Sequence, residues 1–219
     1  MFTLGAHAQI PRNAKQTAFE LIQQSSKSLD TVDQLLVVFN QDTGTKATLV
    51  AFERFGKRWK RKFGPFVASI GRTGFAAPGA KVEGDGKTPT GLFALGQLFS
   101  YEPSINSKLS FIQSTIDDKW IDDSTSTDYN RYIRGNTDAK SFEHLLLNSI
   151  YYKYCMVIEY NTKPIVKGKG SAIFFHLSDE NYTPTAGCVA IAEIDMQPIL
   201  HWLKPSKRKA IYTVQLSTQ

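Results

Sequence analysis

At 219 residues, 42% hydrophobic and 21% charged, the chain has the length and composition of one large globular domain, or one domain with an appendage, burying roughly 70% of its unfolded surface. Two cysteines are too few for a disulfide scaffold, and four histidines without HxxxH or CxxC spacing argue against a zinc site. No apolar run approaches the roughly 18 residues of a membrane span, and a net charge of +6 has to be weighed by where it sits.

The first residues carry Ala6-His7-Ala8 before Gln9, the wording of a signal-peptidase site, without the charged and apolar regions that should precede one. A cytosolic chain, a start that lies upstream and a trimmed terminus all fit, and two alanines flanking one residue are also a cheap match. Ala14, Ala18, Leu21 and Ile22 recur at helical spacing behind Asn13 as N-cap, which predicts a short amphipathic helix over 14–25. Residues 33–40 and 46–55 read as strands joined by an Asp42-Thr43-Gly44 hairpin turn. The β character continues over 59–63 and 66–70, broken at Gly64-Pro65. Six of the nine residues from Arg54 to Lys62 are basic. No nucleic-acid motif accompanies them, so a solvated hairpin face fits better than a nucleic-acid site. In an exported protein they would suit loose attraction to anionic envelope polymers.

Glu83-Gly84-Asp85-Gly86-Lys87-Thr88-Pro89-Thr90 is a glycine-rich loop handed to a strand at 91–95. It has neither GxxxxGK[ST] nor a following helix, so phosphate binding is a poor reading. Residues 101–135 are polar but hold a tryptophan and tyrosines, which favours a lid or binding loop over disorder. Asp122 and Asp123, being adjacent, point apart in an extended chain, so binding or structural use suits them better than an acid–base pair. Residues 141–148 read as a helix and 154–161 as a strand burying an inert Cys155. A helix over 195–203, with Asp195 as N-cap and Pro198 in its first turn, is stopped by Pro205, and 210–216 form a closing strand. Many short strands with about three helices make a β-dominated α+β domain.

The most informative stretch is 168–191. An apolar strand, 171–176, ends on His176, and after a polar loop the chain comes back as Thr185-Ala186-Gly187-Cys188 into a second apolar run. Strands that return on each other would bring His176 and Cys188 together. A thiol beside an imidazole is the unit of cysteine nucleophilic catalysis, and a glycine before the cysteine lets a tight turn aim amides at an oxyanion. By spacing alone, such a cysteine is more often a small buried hydrophobe and such a histidine a satisfied surface group.

Thr185, Gly187 and Cys188, with His176 upstream, resemble the signature of the L,D-transpeptidase catalytic domain (YkuD-like), in a divergent branch with a TAGCVA cysteine motif. Ala186 stands where the commoner form has a second histidine, and Ala190 where it tends to carry a polar residue. A hundred residues away, the stretch from Asp85 to Phe93 resembles the DGKTPxGxF segment of the same family, and Trp120, Asp122 and Tyr129 its W-x-D-D…Y-N wording. The resemblance implies a mixed β-sandwich with a few short helices over 31–219, with an N-terminal segment, 1–30, outside it. It implies that Cys188, deprotonated by His176 with backbone amides near Gly187 at the oxyanion, is acylated by a tetrapeptide stem of peptidoglycan. D-alanine would leave and the acyl group pass to an amine. Thr185 would brace the turn, and Ser171, Trp120, Asp122 and Tyr129 would bind or position substrate. Hydrolysis of the same bond and a non-catalytic cell-wall-binding module are the alternatives. No metal or organic cofactor is implied, carbapenems should acylate the cysteine, and the family places the protein in the periplasm or cell envelope.

Overall fold

Residues 10–40 and 42–216 are described by the computed structural model, so the Ala6-His7-Ala8 wording lies outside them. Helix α1 (Ala14–Gln24) turns Ala14, Ala18, Leu21 and Ile22 inward, the four apolar positions of its sequence period. They lie against Leu35, Val37 and Phe39 of β1 (Gln34–Asn40) and Val50 and Phe52 of β2 (Lys46–Phe55). The alternate positions, Leu36, Val38, Leu49 and Ala51, face a second, larger core. A strand covered on both faces is apolar throughout rather than alternating, which is why β1 is buried at every position.

After β3 (Arg58–Ser69) come β4 (Gly91–Ser100), β5 (Phe111–Gln113), β6 (Asp118–Ile121), β7 (Tyr132–Arg134), β8 (Phe142–His144) and β9 (Cys155–Ile158). β10 (Phe174–Leu177), β11 (Val189–Ile191), helix α2 (Glu193–Trp202) and β12 (Lys209–Gln215) complete the chain. The large mixed sheet runs β12-β1-β2-β3-β11-β10-β9-β4-β5. β4 pairs with β12 through its first half and with β9 and β5 through its second, so the sheet closes on itself with β5 as an appendage. Inside lie Leu36, Leu49, Phe175, Leu177, Val189 and Ile191, joined by Met196, Ile199 and Leu200 of α2. A small sheet, β7-β6-β8, belongs to a third core in which Trp120, Leu145, Tyr152, Val157 and Phe174 pack with Cys155 and Cys188. The fold is therefore β-dominated α+β, of the mixed-sandwich kind the resemblance implies.

Several elements differ from expectation. Residues 59–63 and 66–70 are one strand: β3 runs through Gly64-Pro65, and a register slip against β2 between Leu49 and Ala51 accommodates it. Residues 141–148 hold a strand, β8, not a helix, because Phe142, Glu143 and His144 pair with Ile121, Trp120 and Lys119 of β6. Ladder bonds to an available edge outweigh weak helical spacing in so short a run. The polar stretch 101–135 is no open loop, since it contributes β5, β6 and β7. In α2 the N-cap position belongs to Ala192; Asp195 sits third in the first turn, and Pro198 lies inside the helix rather than in that turn. Asn13 occupies the N-cap position of α1 without a side-chain capping bond.

Candidate active site

Cys188 immediately precedes β11, and β11 pairs in parallel with β10, not as the returning hairpin expected from sequence. The register sets Phe175 against Val189 and His176 against Ala190, which brings Cys188 level with Phe174. The Phe174 N–H donates to Cys188 Sγ at 3.3 Å, and the thiol donates to the Ala172 carbonyl at 3.4 Å. His176 lies two residues beyond Phe174 on the same strand and hence on the same face. Phe175 and Leu177, between and after them, point the other way into the main core.

The cysteine turn is held from two sides. Thr185 Oγ1 donates to the Cys188 carbonyl at 2.8 Å and accepts the Gly187 N–H at 3.1 Å. Thr88, in the glycine-rich loop, accepts the Gly71 N–H at 2.8 Å and donates to the same Cys188 carbonyl at 3.2 Å. Gly187 has φ +149°, and a Cβ there would stand 2.9 Å from the Lys87 carbonyl oxygen, so the close approach of the two loops requires glycine. Because its amide is engaged by Thr185, Gly187 shapes the turn here and its N–H is not directed at an oxyanion.

His176 Nδ1 lies 2.8 Å from the Leu177 carbonyl. A carbonyl can only accept, so Nδ1 carries the proton and Nε2 keeps its lone pair. The ring lies edge-on to Tyr152 at 5.3 Å and Tyr151 at 6.2 Å. Burial pushes the imidazole pKa down to about 4, opposed by the Leu177 carbonyl. Burial likewise pushes the Cys188 thiol well above its usual value, aided by the Glu143 charge and countered by the Phe174 amide and Lys81. At rest the pair is therefore neutral thiol and neutral imidazole.

Two cavities meet at the cysteine. One, of about 230 Å³, is lined by His176, Tyr151, Tyr152, Leu147, Pro184 and Thr185. The other, of about 200 Å³, is charged, with Arg72, Lys81, Glu83, Asp122 and Ser171 in its walls. Cys188, Ala186 and Glu143 line both. Of the residues singled out by sequence, Thr185, Ser171 and Asp122 thus share cavities with Cys188. Trp120 and Tyr129 stand behind the wall. Trp120 packs edge-on against Phe174 at 5.3 Å and donates to Asn130 Oδ1 at 2.8 Å. Asn130 Oδ1 also accepts the Ala172 N–H at 3.1 Å, fixing the residue whose carbonyl receives the thiol proton and whose φ is +51°. Tyr129 donates to Glu83 at 2.5 Å and accepts the Gly170 N–H at 3.0 Å, while Ser171 donates to the same Glu83 oxygen at 2.7 Å. Asp123 has a different use from its neighbour, accepting Thr125 and Lys140 amides as a loop brace. Cys155 is fully buried opposite His176 on β9.

Glu143, Tyr152, Lys81 and Arg72 were not singled out by sequence. Glu143 carries no motif, and Arg72, Lys81, Glu83 and Cys188 reach its cavities from far away in the chain. Lys81 is tied to Asp85 at 2.6 Å. Burial works against the Asp85 charge, but Lys81 and the Val82 and Lys87 amides outweigh it and hold the carboxyl below its usual range.

No curated protein matches this sequence. Among solved structures, the helical cell shape determining protein Pgp2 from Campylobacter jejuni is similar at 18% identity and a TM-score of 0.44, over 84% of this chain and 49% of that one. The chain thus spans about half the length of that protein. The family model of the L,D-transpeptidase catalytic domain, YkuD, matches residues 35–212, a span that holds both the DGKTP loop and the cysteine turn it braces. The chain belongs to the L,D-transpeptidase catalytic domain family.

Proposed function

We propose that the protein is a peptidoglycan L,D-transpeptidase of the cell envelope, working in the periplasm, with Cys188 as nucleophile and His176 as its base. The observation that carries this reading is the placement of the two side chains on one face of paired strands, opening on one cavity, with His176 Nε2 unprotonated. Because both groups rest neutral, the thiol gives up its proton as the carbonyl arrives instead of standing as a preformed ion pair. Cys188 attacks the carbonyl at the L-to-D junction of a tetrapeptide stem, its proton passing to His176 Nε2. The Phe174 amide and Lys81 favour the sulfur's negative charge. With the Gly187 amide tied to Thr185, the Cys188 amide is the candidate oxyanion donor, a contact worth ~3 kcal/mol in such sites.

D-alanine leaves, and the amine of a second stem attacks the thioester to close the crosslink. Two cavities meeting at one sulfur suit a reaction with two peptide substrates, which favours transfer over hydrolysis. The test is incubation of the pure protein with defined tetrapeptide muropeptides and mass analysis of the products. Crosslinked dimers with loss of D-alanine are expected. Tripeptides alone would assign the site to hydrolysis, and unchanged substrate would leave a binding module.

A further inference from the structure

Among the described residues, Cys188, Ala186 and Glu143 line the junction of the two cavities, so Glu143 is the one titratable group there besides the proposed nucleophile. His176 lines only the first cavity, whereas Glu83, Asp122, Lys81 and Arg72 line only the second. Glu143 lies on β8, half-buried and reached from both cavities, and accepts a hydrogen bond from the Tyr152 hydroxyl. The Tyr152 ring in turn lies edge-on to His176 at 5.3 Å and Phe174 at 5.6 Å. One oxygen of Asp122 is buried without a hydrogen-bond partner in the charged cavity, an acceptor with room for a donor such as an amine.

We propose that Glu143 is a catalytic residue, the proton carrier for the amines of the reaction: acid to the amine that leaves in the first half and base to the amine that enters in the second. This rests on the transpeptidase reading above. In acylation the thiol proton goes to His176 Nε2, the carbon–sulfur bond forms, the carbon–nitrogen bond breaks, and the Glu143 carboxyl gives its proton to the departing nitrogen. In transfer an amine in its free-base form, its first proton already lost to solvent, attacks the thioester. The carbon–nitrogen bond forms, Glu143 takes the second proton, and protonated His176 returns its proton to the departing sulfur. Both groups end as they began, and the buried junction carries no net charge change at either half.

The electrostatics suit a carboxyl that starts protonated. Burial raises Glu143 to about 7; Tyr152 opposes the shift, and Asp122 and Glu83 add to it. Cys188 lines the junction with it, Lys81, Arg72, Glu83 and Asp122 line the charged cavity, and His176 lines the other beside Tyr152. Acylation should therefore slow as pH rises through about 7, when the acid is lost.

The test compares two stem donors by covalent adduct formation in intact-protein mass: the tetrapeptide amide, and its analogue with D-thiolactate in place of terminal D-alanine. A thiolate leaves without an acid and an amine does not. Glu143→Gln should slow the amide donor by at least about 100-fold and the thioester donor by only a few-fold. Tyr152→Phe keeps the ring, removes the hydroxyl that lowers the Glu143 pKa, and should move the alkaline limb of wild type upward; it serves as well if Glu143→Gln fails to fold. Equal slowing of both donors in Glu143→Gln, or an alkaline limb unmoved by Tyr152→Phe, would overturn the inference and leave the transpeptidase reading standing. No adduct on wild type from either donor, or an adduct that persists in Cys188→Ala, would overturn the reading and the inference together.

Discussion

Cys188 and His176 are 5% and 7% exposed, so the charged form of each is disfavoured and neither activates the other until a substrate carbonyl arrives. On the proposed reading they act as one unit. Cys188→Ala and His176→Ala should each remove nearly all turnover, with the double variant little worse than either, while Cys155→Ala leaves turnover intact at a stability cost of ~1 kcal/mol. Turnover measurement alongside thermal unfolding checks this. As the proposed base, the imidazole would serve only while neutral, so the acid limb of the acylation rate should lie near pH 4. A limb centred at the ordinary histidine value of 6.5 would mean that His176 is not desolvated as described. Cys188 and His176 were legible in the sequence as candidates for nucleophile and base because they sit in one motif twelve positions apart. Glu143 was not, because its three-residue strand is set in place by pairing with β6, which no local spacing encodes.

Among the elements, the glycine-rich loop and the cysteine turn behave as one piece, joined by Thr88 across a hundred residues. Thr88→Val would orphan the buried Gly71 N–H and release the Cys188 carbonyl. Stability should fall by ~1–3 kcal/mol and turnover by about 10- to 100-fold, as read from denaturant unfolding and initial rates. Helix α1 lies in a different core from the cysteine, against the outer side of β1 and β2. Ile22→Ala should cost ~2–4 kcal/mol without changing turnover below the unfolding transition. Helix α1 and β2 were read closely from sequence because their apolar periods are long enough to be unambiguous. Residues 141–148 failed because three consecutive leucines at their centre satisfy either period, and only the free edge of β6 decides between them. The single strand across Gly64-Pro65 was hidden for a related reason: a sheet can absorb a break that local signals read as an end.

Across the whole molecule, the basic β2–β3 hairpin stands at the opposite end of β3 from the cysteine turn, about 36 Å away along the strand. Arg58, Lys60 and Arg61 are exposed there, and Lys60 lies over the Phe55 ring at 5.4 Å. Their separation from the cavities at Cys188 suits a contact with anionic envelope polymers that would not touch the proposed chemistry. Neutralising Lys57, Arg58, Lys60 and Arg61 together should weaken retention on intact sacculi in a salt-dependent way and leave rates on a small soluble muropeptide unchanged. Equal retention by wild type and variant would remove that role. If Cys188 is the nucleophile of a two-cavity acyl-transfer site, a carbapenem should acylate it, which intact-protein mass after incubation reads. A strained lactam carbonyl needs only the thiol, its base and an oxyanion donor. Because the thiol rests protonated, the adduct should build slowly, form on wild type and Cys155→Ala, and be absent from Cys188→Ala. No mass gain on folded, reduced wild type after long incubation, or an adduct mapped to Cys155, would contradict it.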